Sequence, residues 1–392
     1  MQSYRLLDET EQRFHQNFLH RNGNTQVTSL LTVPGCVSAL RARKAFSQLV
    51  ADYPFLRQKI VPVGGEQYGF VQIEEQVHSS PCAAQPPLQP DILLRLELNR
   101  VLGDQECWRA LVVPDPELNQ THIALTRNHA ISDGYSTARL VNSLAGYLGV
   151  SPSNSDKQKP GAFHLRLRYW REYPIETGKA SHADFVRLQV SAHVAYRIDH
   201  LRATSGFTAN TIWGGGVLVY SYLRHASVPA VDLFTAYSLR DPGSHGQPLS
   251  KACMIDVREA TFGDEPLDLP GCIKRYARVV SQDKALLGTK PGKPANQRPV
   301  AEDTVRPTLA FTNTGLLDRF LTHPRGRVLE FSTLVNRSGG NYEFVLHLGK
   351  FNGTWHAALA FSSLKVDRAT ALAFKSQVES ALDALPTALN IQ

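Results

Sequence analysis

Apolar residues recur at helical spacing from Cys36 to Tyr53, where Val37, Leu40, Phe46, Leu49 and Val50 fall on one face. The pattern stops at Tyr53-Pro54, because proline disfavours helical geometry in the residue before it. Phe55–Val63 and Gly69–Ile73 then read as strands around the turn material of Gly64-Gly65. Ile92–Leu98 alternates loosely, which predicts a strand there, and Cys107–Val113 and His122–Thr126 predict two more. Helical spacing returns over Tyr135–Leu148, with Leu140, Leu144, Tyr147 and Leu148 on one side.

A polar, aperiodic stretch, Ser151–Gly161, reads as a linker or exposed loop. A second alternation follows it. Phe207–Leu223 and Pro270–Leu287 are predicted helices, Asp232–Leu239, Leu309–Asn313, Tyr342–Leu348 and Trp355–Phe361 predicted strands, and Arg368–Leu385 a closing helix. Gly288–Pro307 holds four prolines and several basic residues and reads as an extended crossing. Gly214-Gly215-Gly216 interrupts a predicted helix, and each glycine costs about 0.8–1 kcal/mol relative to alanine there. Close packing against another backbone must offset that cost, or the segment is not a regular helix. No repeat of fixed period is present. Strands and helices mix in both halves, so the fold class is α/β (α+β), with two layered halves of similar size rather than one barrel.

Composition bounds the rest. The chain has 392 residues, 42% of them hydrophobic and 20% charged, so the bulk of it holds enough apolar material to fold. The net charge of +7 favours an anionic partner without choosing among nucleic acid, a phosphate-bearing cofactor and an acidic protein. Met1-Gln-Ser-Tyr-Arg becomes charged before an apolar run develops, which predicts no signal peptide. The apolar run Ile212–Leu223 is shorter than the about 20 residues a membrane-spanning helix needs. The five cysteines are scattered and never spaced Cys-x-x-Cys, so neither a disulfide framework nor a structural zinc site is supported. The expectation is a soluble, cytoplasmic, monomeric protein with no transmembrane segment, no bound metal and no nucleic-acid partner.

Candidate chemistry concentrates in one segment, His122-Ile-Ala-Leu-Thr-Arg-Asn-His129-Ala-Ile-Ser-Asp133-Gly134-Tyr135. A strand ends near Asn128, a histidine follows, and Asp-Gly makes a turn before a helix. An imidazole at that strand end can take a proton from an alcohol or amine at neutral pH. Asp133 is open to three roles: capping the next helix, orienting the loop, or holding an arginine elsewhere. Tyr135 either touches substrate or packs under the helix. Gly288-Thr-Lys-Pro-Gly-Lys293 lacks the spacing of a phosphate-binding loop and reads as an open turn.

The segment His129-Ala-Ile-Ser-Asp133-Gly134 resembles the HxxxDG signature of the condensation-domain and thioester-dependent acyltransferase superfamily. That superfamily includes chloramphenicol acetyltransferase, alcohol acyltransferases and the mycobacterial polyketide-associated acyltransferases. Further segments are similar in order and spacing: Tyr53-Pro54-Phe55-Leu56-Arg57, Thr208-Ala-Asn-Thr-Ile-Trp213, Tyr237-Ser-Leu-Arg240 and Thr312-Asn313-Thr314-Gly315. The resemblance implies two chloramphenicol-acetyltransferase-like halves, 1–160 carrying the histidine motif and 161–392 with a crossover near 288–315, and a tunnel between them. It implies His129 as general base, and Asp133 as a structural carboxylate paired with Arg240. Gly134 would permit a sharp turn, and Asn128, Tyr135, Thr312 and Asn313 would lie along the substrate path.

No cofactor would be held permanently. The co-substrate would be acyl-CoA or a phosphopantetheine thioester on an acyl carrier protein, and the acceptor a small-molecule alcohol ahead of an amine. Lys290, Lys293 and Arg298 read either as a solvated basic loop or as contacts to coenzyme A phosphates or an acidic carrier. The DFGWG segment of the plant branch is absent, and residue 128 is Asn where peptide-forming condensation domains carry a first histidine. The first moves the chain away from the plant branch and the second disfavours a peptide-synthetase role; with a length shorter than a typical condensation domain, a free-standing acyltransferase of specialised metabolism fits better. A stand-alone condensation or offloading enzyme is the alternative, and a non-catalytic carrier-binding paralogue stands in a different class.

Overall fold

The computed structural model describes residues 4–73, 75–81, 89–103, 106–149, 164–170, 183–240, 251, 253–263, 268–287, 306–319, 327–339 and 342–388. The chain forms two compact units. The first comprises Met1–Ala183, Gly243–Met254 and Leu316–Ser338; the second comprises Asp184–Pro242, Ile255–Gly315 and Gly339–Gln392. Where the sequence suggests one junction near residue 160, two later segments return to the first unit. The return of the second is built on main-chain pairing, described below. Ser151–Gly161 and residues 288–305, including Lys290, Lys293 and Arg298, lie outside the described residues.

In the first unit the elements run β1 (Tyr4–Leu6), α1 (Glu9–His20), β2 (Val27–Pro34), α2 (Ala39–Asp52), β3 (Gln58–Gly64), β4 (Gln67–Gln72), β5 (Glu75–Pro81), α3 (Pro90–Asn99), β6 (Trp108–Asp115), β7 (Gln120–Arg127), α4 (Gly134–Gly149) and β8 (His164–Trp170). The second unit contributes β9 (Ala183–Leu188), α5 (Ala192–Ser205), α6 (Tyr220–Ala226), β10 (Val231–Ser238), β11 (Ile255–Phe262), α7 (Leu269–Leu286) and β12 (Thr308–Leu316). The chain then returns to the first unit as β13 (Glu330–Val335) before β14 (Phe344–Phe351), β15 (Thr354–Ser362) and α8 (Arg368–Ala388). No described helix is long and apolar enough to cross a membrane.

The central sheet of the first unit has the order β13-β2-β7-β6, and every pairing in it is antiparallel. Val335, Val27, Arg127 and Trp108 share one row, so β7 and β13, on either side of β2, both end level with its first residue. β2 and β7 are buried along almost their whole length, because helices cover both faces. Phe46 of α2 packs on Trp108, while Glu97 of α3 binds Arg109 and Thr126 on the opposite face. Tyr53 Oη shares a 2.8 Å hydrogen bond with Ser143 Oγ and ties α2 to α4.

The predicted strand Ile92–Leu98 is α3, a helix. Leu94, Leu96 and Leu98 alternate with Arg95 and Glu97, but Glu97 is buried in a salt bridge to Arg109 while Ile92 is 41% exposed. A buried carboxylate on the inner face disguised the helical period. Pro90 at the first turn, where its missing N–H costs nothing, opens that helix. The helix α1, not predicted, starts at a capping box in which Asp8 and Glu11 satisfy each other's backbone N–H groups.

The second unit is built on a six-stranded sheet, β11-β10-β12-β14-β15-β9, with β10 and β12 parallel. Phe344, Phe374 and Tyr222 interlock over it, with the Phe344 and Phe374 rings 4.5 Å apart. The three glycines lie in a π-helical stretch, Thr211–Val219, leading into α6. Both sequence expectations meet here: the turn is irregular and the packing is close. A Cβ on Gly215 would stand 1.9 Å from Tyr276 Cβ, and one on Gly216 would stand 2.2 Å from Ile273 Cγ1. The close neighbours are side chains of α7, rather than the backbone the sequence suggested. Gly215→Ala should therefore destabilise the chain by about 1–3 kcal/mol or more through overpacking. Urea unfolding measures this, and an unchanged midpoint would contradict the packing.

Candidate active site

β7 ends at Arg127, and Asn128 turns the chain into a short 3-10 turn, His129–Ile131. Asn128 Oδ1 accepts the Ala130 N–H at 3.0 Å and the Asn128 N–H donates to Cys107 O at 2.8 Å, fixing the exit from the sheet. Its Nδ2 donates to His15 Nδ1 at 3.2 Å. His129 is 8% exposed, and its ring stacks on Phe14 of α1 with centroids 4.0 Å apart and planes 22° from parallel. Its Nδ1 is buried with no hydrogen-bond partner among the described residues.

Burial pushes the His129 pKa down to about 3, reinforced by the charges of Arg337, Arg127 and Arg13; its own carbonyl opposes the shift. His15 is also pushed down, to about 4, chiefly by burial. Both rings are therefore neutral at physiological pH and able to accept a proton. Because both would be protonated in the unfolded chain below about 6.5, folding stability should fall as pH drops from 7 toward 4. The expected loss is on the order of 1–2 kcal/mol per histidine by pH 5. Urea midpoints at pH 7.5 and 5 measure it. A drop just as steep in the His15→Gln/His129→Gln double variant would exclude this origin.

Asp133 sits just before α4. Its Oδ1 accepts the Ser136 N–H at 2.6 Å, while its own N–H donates to Ser136 Oγ at 2.8 Å, a reciprocal cap on the helix start. Its Oδ2 accepts the Met254 N–H at 2.9 Å, pinning a segment 121 residues later to the turn. Gly134 opens α4 outside the left-handed region, so its place there does not rest on conformational freedom. Tyr135 is half-buried, and its hydroxyl accepts from Arg139 at 3.4 Å.

Arg127 completes the turn from below. It is fully buried, with Nε donating to Ser132 Oγ at 3.0 Å and Nη2 to Ser29 Oγ at 2.8 Å and Thr137 Oγ1 at 3.1 Å. Burial pulls its pKa down to about 9, and the Asp133 carboxylate works against that pull. The arrangement therefore holds a neutral imidazole rigidly, between an aromatic ring and a buried ion network.

Asn128, His129, Asp133, Gly134 and Tyr135 thus converge on one turn of the first unit. Arg240, Thr312 and Asn313 belong to the second unit. There the Arg240 N–H donates to Ser238 Oγ. Asn313 Nδ2 donates to Asn210 Oδ1 at 2.7 Å, and its Oδ1 accepts the N–H of Gly315, a residue with φ +83°. Thr312 is half-buried on β12. Sequence reasoning missed Phe14, His15, Arg127 and Arg337. Arg127 carried a signal, a charge closing an otherwise apolar strand; the Asp8-x-x-Glu11 cap marked the helix that delivers Phe14 and His15.

No family model matches the sequence, and no curated protein matches it. Solved structures match over the whole length. The condensation domain of the Monacolin K polyketide synthase MokA is 13% identical, with 99% of this chain and 98% of that chain covered at a TM-score of 0.68. Polyketide synthase associated protein 5 from Mycobacterium tuberculosis is also 13% identical, with 99% of each chain covered and a TM-score of 0.64. TRI3 trichothecene 15-O-acetyltransferase from Fusarium sporotrichioides is 12% identical, with 97% and 95% covered and a TM-score of 0.63. At these identities the likeness is one of fold, which this chain shares with these three structures.

Proposed function

We propose that this chain is an acyltransferase, moving an acyl group from a thioester to the hydroxyl of a small-molecule acceptor, with His129 as general base. The observation that carries the reading is the buried, neutral His129, fixed at a strand-to-helix turn by Arg127 and Asp133. It stands in a chain whose fold is shared with condensation domains and an acetyltransferase. With Nδ1 buried, Nε2 is the nitrogen left for substrate. It takes the acceptor's proton as the oxygen attacks the thioester carbonyl. The tetrahedral adduct then collapses to an ester, and the departing thiolate recovers the proton from the imidazolium. Neither metal nor redox partner enters that balance.

The donor is acyl-CoA or an acylated carrier protein. The test is mass spectrometry of products from acyl-CoA donors and a panel of alcohols and amines, run beside the same acyl groups loaded on a carrier protein. Ester formation from free acyl-CoA is expected. Turnover only with the loaded carrier would favour the condensation or offloading alternative, and thioester binding without any product would favour a non-catalytic role.

A further inference from the structure

Two consecutive residues of α1 grip two consecutive residues of the histidine turn. Phe14 stacks on the His129 ring, and His15 meets the side chain of Asn128. Asn128 in turn holds the backbone around His129. Its N–H donates to Cys107 O at 2.8 Å, its carbonyl accepts the Ile131 N–H at 3.1 Å, and its Oδ1 accepts the Ala130 N–H at 3.0 Å. The last of these bonds fixes a chain of donors and acceptors. A backbone N–H can only donate, so the amide atom facing Ala130 is the oxygen and the group facing His15 is the NH2. That NH2 can only donate as well. His15 Nδ1, 3.2 Å away, is therefore the acceptor, and the neutral ring carries its proton on Nε2.

Turning the Asn128 amide over would set its NH2 against the Ala130 N–H, donor against donor, and the turn would lose its cap. The acceptor on His15 is what makes the productive orientation the satisfied one. Both side chains are buried, so neither bond is readily exchanged for one to bulk water. The helix that carries His15 is fastened on its other sides. Asp8 and Glu11 cap its start, and Arg5 grips both Glu11 oxygens at 2.9 Å. Gln12 Oε1 accepts the Tyr68 N–H at 3.2 Å, and the Tyr68 ring meets the His15 ring edge-on with centroids 4.7 Å apart. Thr25 donates its hydroxyl to Phe14 O at 2.9 Å, and does so at φ +77°, an unfavourable backbone for a β-branched residue.

Resting on the acyltransfer reading, we infer that His15 is a positioning residue: by accepting from Asn128 it holds the turn that aims His129 at the acceptor. Its part is one accepted hydrogen bond, and it exchanges no proton with the substrate. The segment His129–Gly134 does not encode it, because the ring arrives from 113 residues before Asn128. A general base must meet its proton within hydrogen-bond reach, so a small rotation of the turn weakens the chemical step while the binding surfaces stay in place.

The experiment uses the full chain labelled with 15N-histidine, its ring signals assigned through bonds from the backbone. Near neutral pH, His15 should carry its proton on Nε2 and none on Nδ1. This arm reads the unaltered protein and does not depend on how a variant folds. Two variants, verified as folded by circular dichroism, supply the rest. His15→Leu removes the acceptor, and His15→Asn places an amide oxygen close to where Nδ1 stood. His15→Leu should move the His129 ring signals and lower kcat for acyl transfer by about 10–100-fold, with KM changed less than about twofold. His15→Asn should keep kcat within about fivefold of wild type, with the His129 signals near their original positions. Leucine suits a buried helix position better than asparagine does, so stability alone would give the opposite order. A proton on Nδ1, unmoved His129 signals in His15→Leu, or a kcat no higher in His15→Asn than in His15→Leu would each overturn the inference. If the wild type transfers no acyl group while the tautomer and the His129 shifts come out as expected, acyl transfer fails and the hold of His15 on the turn stands.

Discussion

Replacing His129 with glutamine should lower kcat/KM for acyl transfer by about 10²–10⁴-fold, the range a positioned general base contributes. At about 1.4 kcal/mol per factor of ten, that is roughly 3–5 kcal/mol of transition-state stabilisation. Glutamine keeps the flat, polar shape against Phe14 but has no basic nitrogen at any accessible pH. The fold should not suffer: Nδ1 has no hydrogen bond among the described residues to lose, and burying the imidazole is itself unfavourable to its charged form. Steady-state kinetics with quantified ester product, together with thermal unfolding, separates the two effects. Activity within threefold of wild type would remove His129 from the chemistry.

Arg127→Met should be the most damaging substitution for stability, costing about 3–5 kcal/mol. Methionine fills much of the space but supplies none of the three hydrogen bonds that Ser29, Ser132 and Thr137 accept. It also removes a positive charge that acts on the carboxylate of Asp133, itself 4% exposed. Removing a buried cation costs more when the anion it acts on stays behind than when both go together. The Arg127→Met/Asp133→Asn double variant should recover part of the electrostatic loss, because the asparagine oxygen still accepts the Ser136 N–H without carrying the charge, while its Nδ2 cannot replace the acceptor for the Met254 N–H. Urea unfolding of the four proteins measures the coupling. A loss under 1 kcal/mol in Arg127→Met, or strict additivity in the double variant, would show that the network is not what holds the turn.

The strong periodic signals lay where one face of an element is plainly apolar. α2, α4, α7 and α8 declared themselves through apolar residues at helical spacing, and the end of α2 followed from Pro54 and the start of α4 from the Asp133-Gly134 turn. The strand β10 was legible from its alternation, and β7 and β15, buried along most of their length, from short apolar runs. Elements whose inner face is polar were not. α3 hides Glu97 in its buried face, and α1 buries Glu11 and His15, so neither shows a clean stripe. β13 is a short strand with Ser332 and Thr333 in it, stabilised by its pairing to β2 across some 300 residues of sequence; no local pattern encodes that partner.

The same division holds at the site. By itself the sequence determined the turn: a strand, a histidine, and an aspartate and glycine before a helix, since these are set by neighbours in the chain. The surroundings of His129 were decided by tertiary structure alone. The ring of Phe14 comes from α1, the charge of Arg337 from beyond β13, and the amide anchoring Asp133 from Met254. Desolvation and charge act through space, so the neutral state of that imidazole exists only once the chain has folded around it.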